Sequence, residues 1–197
     1  VYDLGGGTFD VSVLHMGDDL IEVIATAGDT FLGGDDFDQA LAEHIRNAYE
    51  SDGRGTIPRD HGTNVRLNEA AEQLKRALSA EQQASIRLEG LALDASGNPL
   101  DVDAMLSRTL ARNVCMPLIQ RSFVVCDNAL AQAGLSAAQV DGIVLVGGMT
   151  RFPIIQEAVA QYFGEDPIDS INPDEVVAIG AAIQAAQLTR VSSEPST

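Results

Sequence analysis

The sequence is poor in basic residues and cysteines, and it has no long apolar run. Twelve Lys and Arg face 29 Asp and Glu, a net charge of −17 that repels nucleic acid and anionic membranes, so neither is expected as a partner. Cys115 and Cys126 lack Cys-x-x-Cys spacing, which predicts reduced core thiols and a cytoplasmic protein. No apolar run approaches the roughly 18 residues of a membrane helix, and no signal peptide is visible.

The remaining composition is that of a folded globular protein. The chain has 197 residues, of which 45% are hydrophobic and 21% charged. It opens without Met and inside a strand, so we expect it to belong to a longer protein. His15, His44 and His61 are far apart and have no metal-ligand spacing, and we assign them no role.

The first thirteen residues predict a hairpin with a glycine tip. Apolar residues lead into Gly5-Gly6-Gly7, and a second run then alternates apolar and polar residues. Glycines without Cβ atoms can lay their N–H groups against an anion. Asp3 and Asp10 flank the tip, which suggests a bridging cation. The alternative is a merely permissive turn.

The rest of the chain alternates predicted strands and helices. A third strand covers 20–27, and Asp35 or Asp36 caps the helix that follows. The polar segment 51–62 is predicted to be an exposed excursion. Further predictions are a helix over 64–78, a strand over 83–93, a short strand over 100–102, helix from 103 with a kink or restart near Pro117, a doubly buried strand over 143–146, a helix from Pro153 and a buried helix over 176–188.

This order of elements predicts a discontinuous domain. Residues 1–33 and 116–190 would form a mixed sheet flanked by helices, and residues 34–115 an inserted α+β subdomain. Residues 191–197 are predicted to be a disordered tail.

Two further segments carry polar groups in patterns that suit a ligand. Residues at i, i+3, i+4 and i+7 share one helix face, which here offers an acceptor, two cations and a hydroxyl: Glu72, Lys75, Arg76 and Ser79. This set suits ribose hydroxyls and a purine edge, although a solvated face is the alternative. Gly147 and Gly148 follow a buried strand, and Arg151 offers a planar guanidinium for an aromatic base. A tight turn and a surface arginine are the alternative there.

Five separated motifs together resemble DnaK-type heat-shock chaperones. They cover about 190 residues in the family's order and read D-L-G-G-G-T-F-D from Asp3, L-G-G-D-D-F-D from Leu32, E-Q-L-K-R-A-L-S from Glu72, V-L-V-G-G-M-T-R-F-P from Val144 and N-P-D-E-V-V-A-I-G-A-A-I-Q from Asn172. The resemblance is to the second, C-terminal lobe of the family's nucleotide-binding domain. It implies an α/β fold, an actin-like, ribonuclease H-like ATPase lobe, with the subdomains given above.

The resemblance also implies roles for individual residues. Asp3 would contact hydrated Mg²⁺ and help to place the attacking water, while Thr8 and Asp10 would approach a monovalent cation such as K⁺. The β- and γ-phosphates of ATP or ADP would lie on Gly5, Gly6, Gly7 and Thr8, with Gly33 and Gly34 on the phosphate side. The adenosine would contact Glu72, Lys75, Arg76 and Ser79, and Arg76 and Arg151 would lie on either side of the base. Gly147 and Gly148 would lie under the ribose and α-phosphate. Asp174 would lie near the cation.

The sequence departs from the family pattern at two positions. Met149 stands where a small polar residue is more common, and Asp35, which replaces a glutamate, is interpreted as a helix cap. The first lobe, with its own phosphate loop and lysine, is absent, so we expect this chain not to hydrolyse ATP at a useful rate.

The resemblance implies partners for the parent protein. They are a nucleotide-exchange factor, J-domain co-chaperones and, through a domain absent here, unfolded polypeptide. Two alternatives stay open, a docking module for an exchange factor and a lobe of a filament-forming actin-like protein.

Overall fold

A computed structural model describes residues 1–17, 20–94, 96–168, 172 and 175–191. The chain forms a four-stranded sheet, a separate two-stranded sheet and five α-helices in the described residues. Their bounds are β1 Tyr2–Leu4, β2 Phe9–Met16, β3 Ile21–Asp29, α1 Gly34–Ser51, α2 His61–Ala80, β4 Gln83–Leu93, β5 Pro99–Ser107, α3 Arg108–Ala133, β6 Leu145–Val146, α4 Pro153–Phe163 and α5 Val176–Val191. Short 3₁₀ turns cover Ala137–Gln139 and Gly148–Arg151.

The larger sheet is mixed, as the sequence predicted. Its strand order is β3-β2-β1-β6, with β6 parallel to β1 and the other pairs antiparallel. Tyr2 and Phe9 pack with ring centroids 4.6 Å apart, and α3 covers this face. The Tyr2 hydroxyl shares a 2.7 Å hydrogen bond with Ser122 of α3, which fixes the helix across β1.

The second sheet is the hairpin of β4 and β5, which packs against α2. Leu67, Leu74 and Leu78 of α2 are buried, as its periodicity predicted. The division into an inserted subdomain over 34–115 stays a prediction, and α3 crosses residues 115–116 as one helix with Pro117 inside it. Cys115 and Cys126 of α3 are free and buried, and burial raises the pKa of each thiol to about 12.

Three predictions about the elements were wrong. Segment 103–107 is the end of β5 rather than the start of a helix, because Val102, Ala104 and Leu106 alternate inward with period two. Only Leu145–Val146 of the predicted strand 143–146 is strand.

The polar segment 51–62 is exposed over most of its length, as predicted, and the third wrong prediction concerns the last helix. The segment after α1 is tied to the protein, since Arg46 donates 2.7 Å hydrogen bonds to the carbonyls of Ile57 and Pro58, and Ile57 is fully buried. The last helix exposes Val177, Ile179 and Ile183 by more than half of their surface, where burial was predicted. It continues to Val191, and the remainder of the predicted tail, 192–197, lies outside the described residues. None of the helices in the described ranges has the length and hydrophobicity needed to cross a bilayer.

Candidate functional site

The glycine tip between β1 and β2 rests on the first turn of α1. The Gly34 N–H donates to the Gly5 carbonyl at 2.9 Å, and the Asp35 N–H donates to the Gly6 carbonyl at 2.8 Å. In a trans peptide the C=O and the following N–H point in opposite directions. The N–H groups of Gly6 and Gly7 therefore point away from α1, and both residues are exposed. This arrangement presents two N–H groups to an anion.

The absence of a side chain at Gly33 allows the glycine tip to lie against the start of α1. A Cβ atom on Gly33 would lie 2.5 Å from the Gly6 carbonyl oxygen and equally near the Gly7 backbone, so only glycine fits. The Gly33 N–H donates to Asp36 Oδ2 at 2.7 Å. Asp36 therefore caps α1, and the interpretation of Asp35 as the cap was wrong. Asp35 instead lies exposed in the first turn and borders the cleft described below.

The two carboxylates that flank the tip stand opposite each other. Asp3 of β1 and Asp10 of β2 are directly paired across the antiparallel strands. Partial burial raises the pKa of Asp3, and the charge of Asp10 raises it further. A Cβ atom on Gly28 of β3 would lie 2.6 Å from Asp10 Oδ1, so this glycine makes room for the carboxylate. Sequence reasoning missed Gly28, and a glycine within an alternating strand was the available signal.

The end of β3 is fixed to α3 by a bidentate ion pair. Arg121 donates to both oxygens of Asp29, at 2.6 Å from Nε and 2.8 Å from Nη2. Asp29 Oδ1 also accepts the Phe31 N–H at 3.0 Å. This pair anchors the turn that leads to Gly33, and no local pattern indicated it because the partners are 92 residues apart.

The predicted face of α2 divides into exposed and buried members. Arg76 is largely exposed and pairs with Glu72 at 2.7 Å. The Ser79 hydroxyl donates to the Lys75 carbonyl at 3.5 Å. Lys75 turns toward α1 instead, where its Nζ lies 2.8 Å from each carboxylate oxygen of Asp38. Sequence reasoning did not select Asp38, which is buried.

The second glycine turn follows β6 and closes against β1. Gly147 has φ +88°, and a Cβ atom there would lie 2.3 Å from the Leu4 carbonyl oxygen and 2.8 Å from Asp3 Oδ1. Met149 is buried and packs against Gly34, so the departure from the family pattern fills space beside α1. Arg151 is exposed and donates to Asn172 Oδ1 at 2.9 Å.

These segments surround one open cleft of about 770 Å³. The predicted site residues that line it are Gly6, Gly34, Glu72, Lys75, Arg76, Ser79, Gly148 and Arg151. Asp35, Asp38, Ala80, Met149 and Phe152 complete the lining. The other predicted residues lie in or against the adjoining turns and strands rather than in the lining: Asp3, Gly5, Gly7, Thr8, Asp10, Gly33 and Gly147. Asp174 lies outside the described residues.

Metal ligands are sparse in the part of the chain that the structure describes. No three His, Cys, Asp or Glu side chains come together there as a metal site. A cation beside the tip would have the Asp3 and Asp10 pair and would need further oxygen ligands from water or phosphate, which is the way Mg²⁺ is commonly held.

Fold and cleft together define a mixed α/β protein with an open cleft beside glycine turns at the ends of its strands. The chain belongs to the Hsp70 family, because the family model described as Hsp70 protein matches residues 1–194. It is also 45% identical over 188 residues to a chaperone protein DnaK of Thermotoga neapolitana. That match covers 95% of this chain and 32% of the relative, so the chain spans about a third of its length.

Proposed function

We propose that this chain is the second lobe of the nucleotide-binding domain of a chaperone ATPase and that its cleft binds ATP and ADP. The observation that carries the proposal is the convergence of three distant segments on one cleft. The glycine tip, the polar face of α2 and the turn after β6 border the same space. Each offers the chemistry that one part of an adenine nucleotide requires.

The phosphate end of the nucleotide would lie on the glycine tip. The outward N–H groups of Gly6 and Gly7 supply donors for phosphate oxygens, and Thr8 adds a hydroxyl. Burial raises the pKa of Asp3, and the charge of Asp10 raises it further. Asp3 and Asp10 fit a hydrated Mg²⁺, because a cation between them would offset the repulsion between the two carboxylates. Bound there, Mg²⁺ would neutralise charge on the phosphates. Asp3 would also orient a water, and Thr8 and Asp10 would approach K⁺.

The adenosine end would lie between α2 and the turn after β6. Glu72 and Ser79 suit hydroxyls and polar ring atoms, and two exposed guanidinium groups, of Arg76 and Arg151, suit the faces of a base. Gly148 allows close approach of the ribose, and Asp174 remains a proposed contact near the cation. The shared border of one cleft by α2 and the turn after β6 supports this orientation of the nucleotide.

We do not expect the chain to turn over ATP by itself. Phosphoryl transfer depends on charges placed all around the transferring group, and this chain borders the nucleotide on one side only. In the intact parent the lobe would take part in ATP-driven cycles of unfolded-polypeptide binding, with J-domain co-chaperones and an exchange factor. Two buried, free thiols are compatible with a reducing cytoplasm.

Calorimetric titration with Mg-ADP tests the proposal. We expect micromolar to millimolar binding that Arg151→Ala weakens by about three- to thirtyfold, the range of a cation–π contact. Arg87→Ala is the matched control, because Arg87 is an exposed arginine of the β4–β5 hairpin that does not border the cleft. Circular dichroism would establish that both variants are folded.

Two results would contradict the proposal. One is the absence of heat from Mg-ADP with the folded chain. The other is an equal loss of affinity in both arginine variants. Release of inorganic phosphate from ATP above the uncatalysed rate would contradict the expected lack of turnover.

A further inference from the structure

A buried ion pair joins the two helices that border the cleft. Lys75 of α2 and Asp38 of α1 each expose only 11% of their side chain, and Lys75 Nζ lies 2.8 Å from both carboxylate oxygens. The same nitrogen donates to the Gly34 carbonyl at 3.4 Å. Two of the three ammonium donors are thus held by α1.

The third donor can be reached from the cleft. Asp38 and Gly34 both belong to α1, so they occupy one side of the tetrahedral ammonium group. Lys75 nevertheless borders the cleft, together with Glu72 and Ser79 of the same helix. The remaining N–H is therefore available on the cleft side, where a ligand hydroxyl could accept it.

The pair is not explained by stability alone. Burial raises the pKa of Asp38 despite the hydrogen bond and the charge of Lys75, and the charges of Glu72 and Asp35 raise it further. Keeping the ionised pair buried therefore costs free energy that an apolar pair of similar volume would not. A lysine without a partner would extend its ammonium group into water.

We infer that Asp38 is a positioning residue that holds the Lys75 ammonium at the wall of the cleft, with one N–H directed at a hydroxyl of the bound ligand. The inference rests on the proposed function, which makes that hydroxyl one of the ribose of an adenine nucleotide. Asp38 itself need not touch the ligand. Its effect reaches the ligand through Lys75.

The first experiment needs no nucleotide, because Lys75 is the single lysine of the sequence. Acetylation of the folded chain with an amine-directed reagent, followed at the Lys75 peptide by mass spectrometry, measures how firmly the ammonium is held. We expect Lys75 to react at least about tenfold more slowly than free Nα-acetyl-lysine in the same solution, as a charge-assisted hydrogen bond implies. Equal rates would overturn the inference even if no variant folds.

Variants then assign the effect to Asp38. Asp38→Asn should accelerate acetylation by about tenfold or more, and Asp38→Glu should keep it slow. Glu69→Gln is the matched control, since it removes one negative charge from the exposed side of α2. Acetylation of a folded Asp38→Asn protein at the unchanged rate would overturn the inference.

The second experiment tests the direction of the third donor. Titration with Mg-ADP and with the 2′,3′-dideoxy analogue should show that Asp38→Asn weakens binding of ADP about tenfold and binding of the analogue much less. An equal loss for both ligands would indicate a structural role and overturn the inference. If the unmodified chain binds neither nucleotide, the proposed function fails, and the acetylation rates alone decide whether Asp38 holds Lys75.

Discussion

At the scale of single residues, Asp3 is a candidate site residue whose ionised side chain lowers the stability of the fold. Its carboxylate is partly removed from water and faces Asp10, so its folded-state pKa lies above the unfolded value. A carboxyl group with a raised pKa in the folded state contributes to the free energy of unfolding while it is protonated, at a pH below its pKa in the unfolded chain. That contribution is lost as the pH rises through its pKa in the folded protein. At neutral pH the ionised Asp3 therefore destabilises the protein.

Asp3→Asn should raise the melting temperature by about 1–3 °C at pH 7, because asparagine cannot ionise. The gain should vanish below about pH 4, where aspartate is protonated in both states. Thermal unfolding followed by circular dichroism at several pH values measures this, with Asp141→Asn, an exposed aspartate, as control. A gain that is independent of pH would contradict the assigned cause.

Residues of the candidate site could be predicted from the sequence where their spacing along one helix decides which face they share. Helical spacing placed Glu72, Lys75, Arg76 and Ser79 on one face, and the structure brings all four to the cleft. Spacing along α2 cannot show that Lys75 turns toward α1, because its partner Asp38 lies on another helix. The ion pair is a property of the packing of two helices.

At the scale of secondary-structure elements, periodicity identified most strands and helices and failed where two periods fit the same residues. Met105 and Leu106 are compatible with the start of a helix, but Met105 is 68% exposed while Leu106 is buried, which is the alternation of a strand. The segment after α1 has the composition of an exposed loop. Its path depends on Arg46, whose contacts with residues 57, 58 and 64 no local pattern reveals.

The turn after β6 allows a direct test of how an element is joined to the sheet. Gly147 and Gly164 both have positive φ, +88° and +79°, but only Gly147 lacks room for a Cβ atom. Gly164→Ala should cost about 1 kcal/mol of unfolding free energy from backbone strain alone. Gly147→Ala should cost more than about 3 kcal/mol, since strain is joined by the displacement of β6 from β1.

Urea denaturation of the two variants measures the difference. Circular dichroism before denaturation shows whether each begins folded, and a Gly147→Ala protein that does not fold would meet the expectation of a large loss. Equal losses in the two variants would mean that the turn after β6 can move away from β1 without cost, which the close contact with Leu4 argues against.

At the scale of the whole molecule, excess negative charge opposes compaction. With 29 acidic and 12 basic residues, like charges are brought together when the chain folds, and added salt should screen them. We expect the melting temperature to rise by about 2–4 °C when salt is increased from 20 to 300 mM at pH 7. This rise corresponds to a gain on the order of 1 kcal/mol in the free energy of unfolding. The rise should be the same in NaCl and KCl without nucleotide. A larger rise in KCl would instead indicate a potassium site that forms without nucleotide.

The strand order of the larger sheet has a consequence for how the protein is made. β1 lies between β2, its immediate neighbour in the chain, and β6, whose residues Leu145 and Val146 are synthesised about 140 residues later. At roughly 5–20 residues per second on the ribosome, one edge of β1 waits on the order of ten seconds for its partner. During that interval the nascent hairpin exposes unpaired backbone groups to other chains. The protein thus passes through a state in which it is prone to associate with other chains, and its yield should depend on the rate of translation.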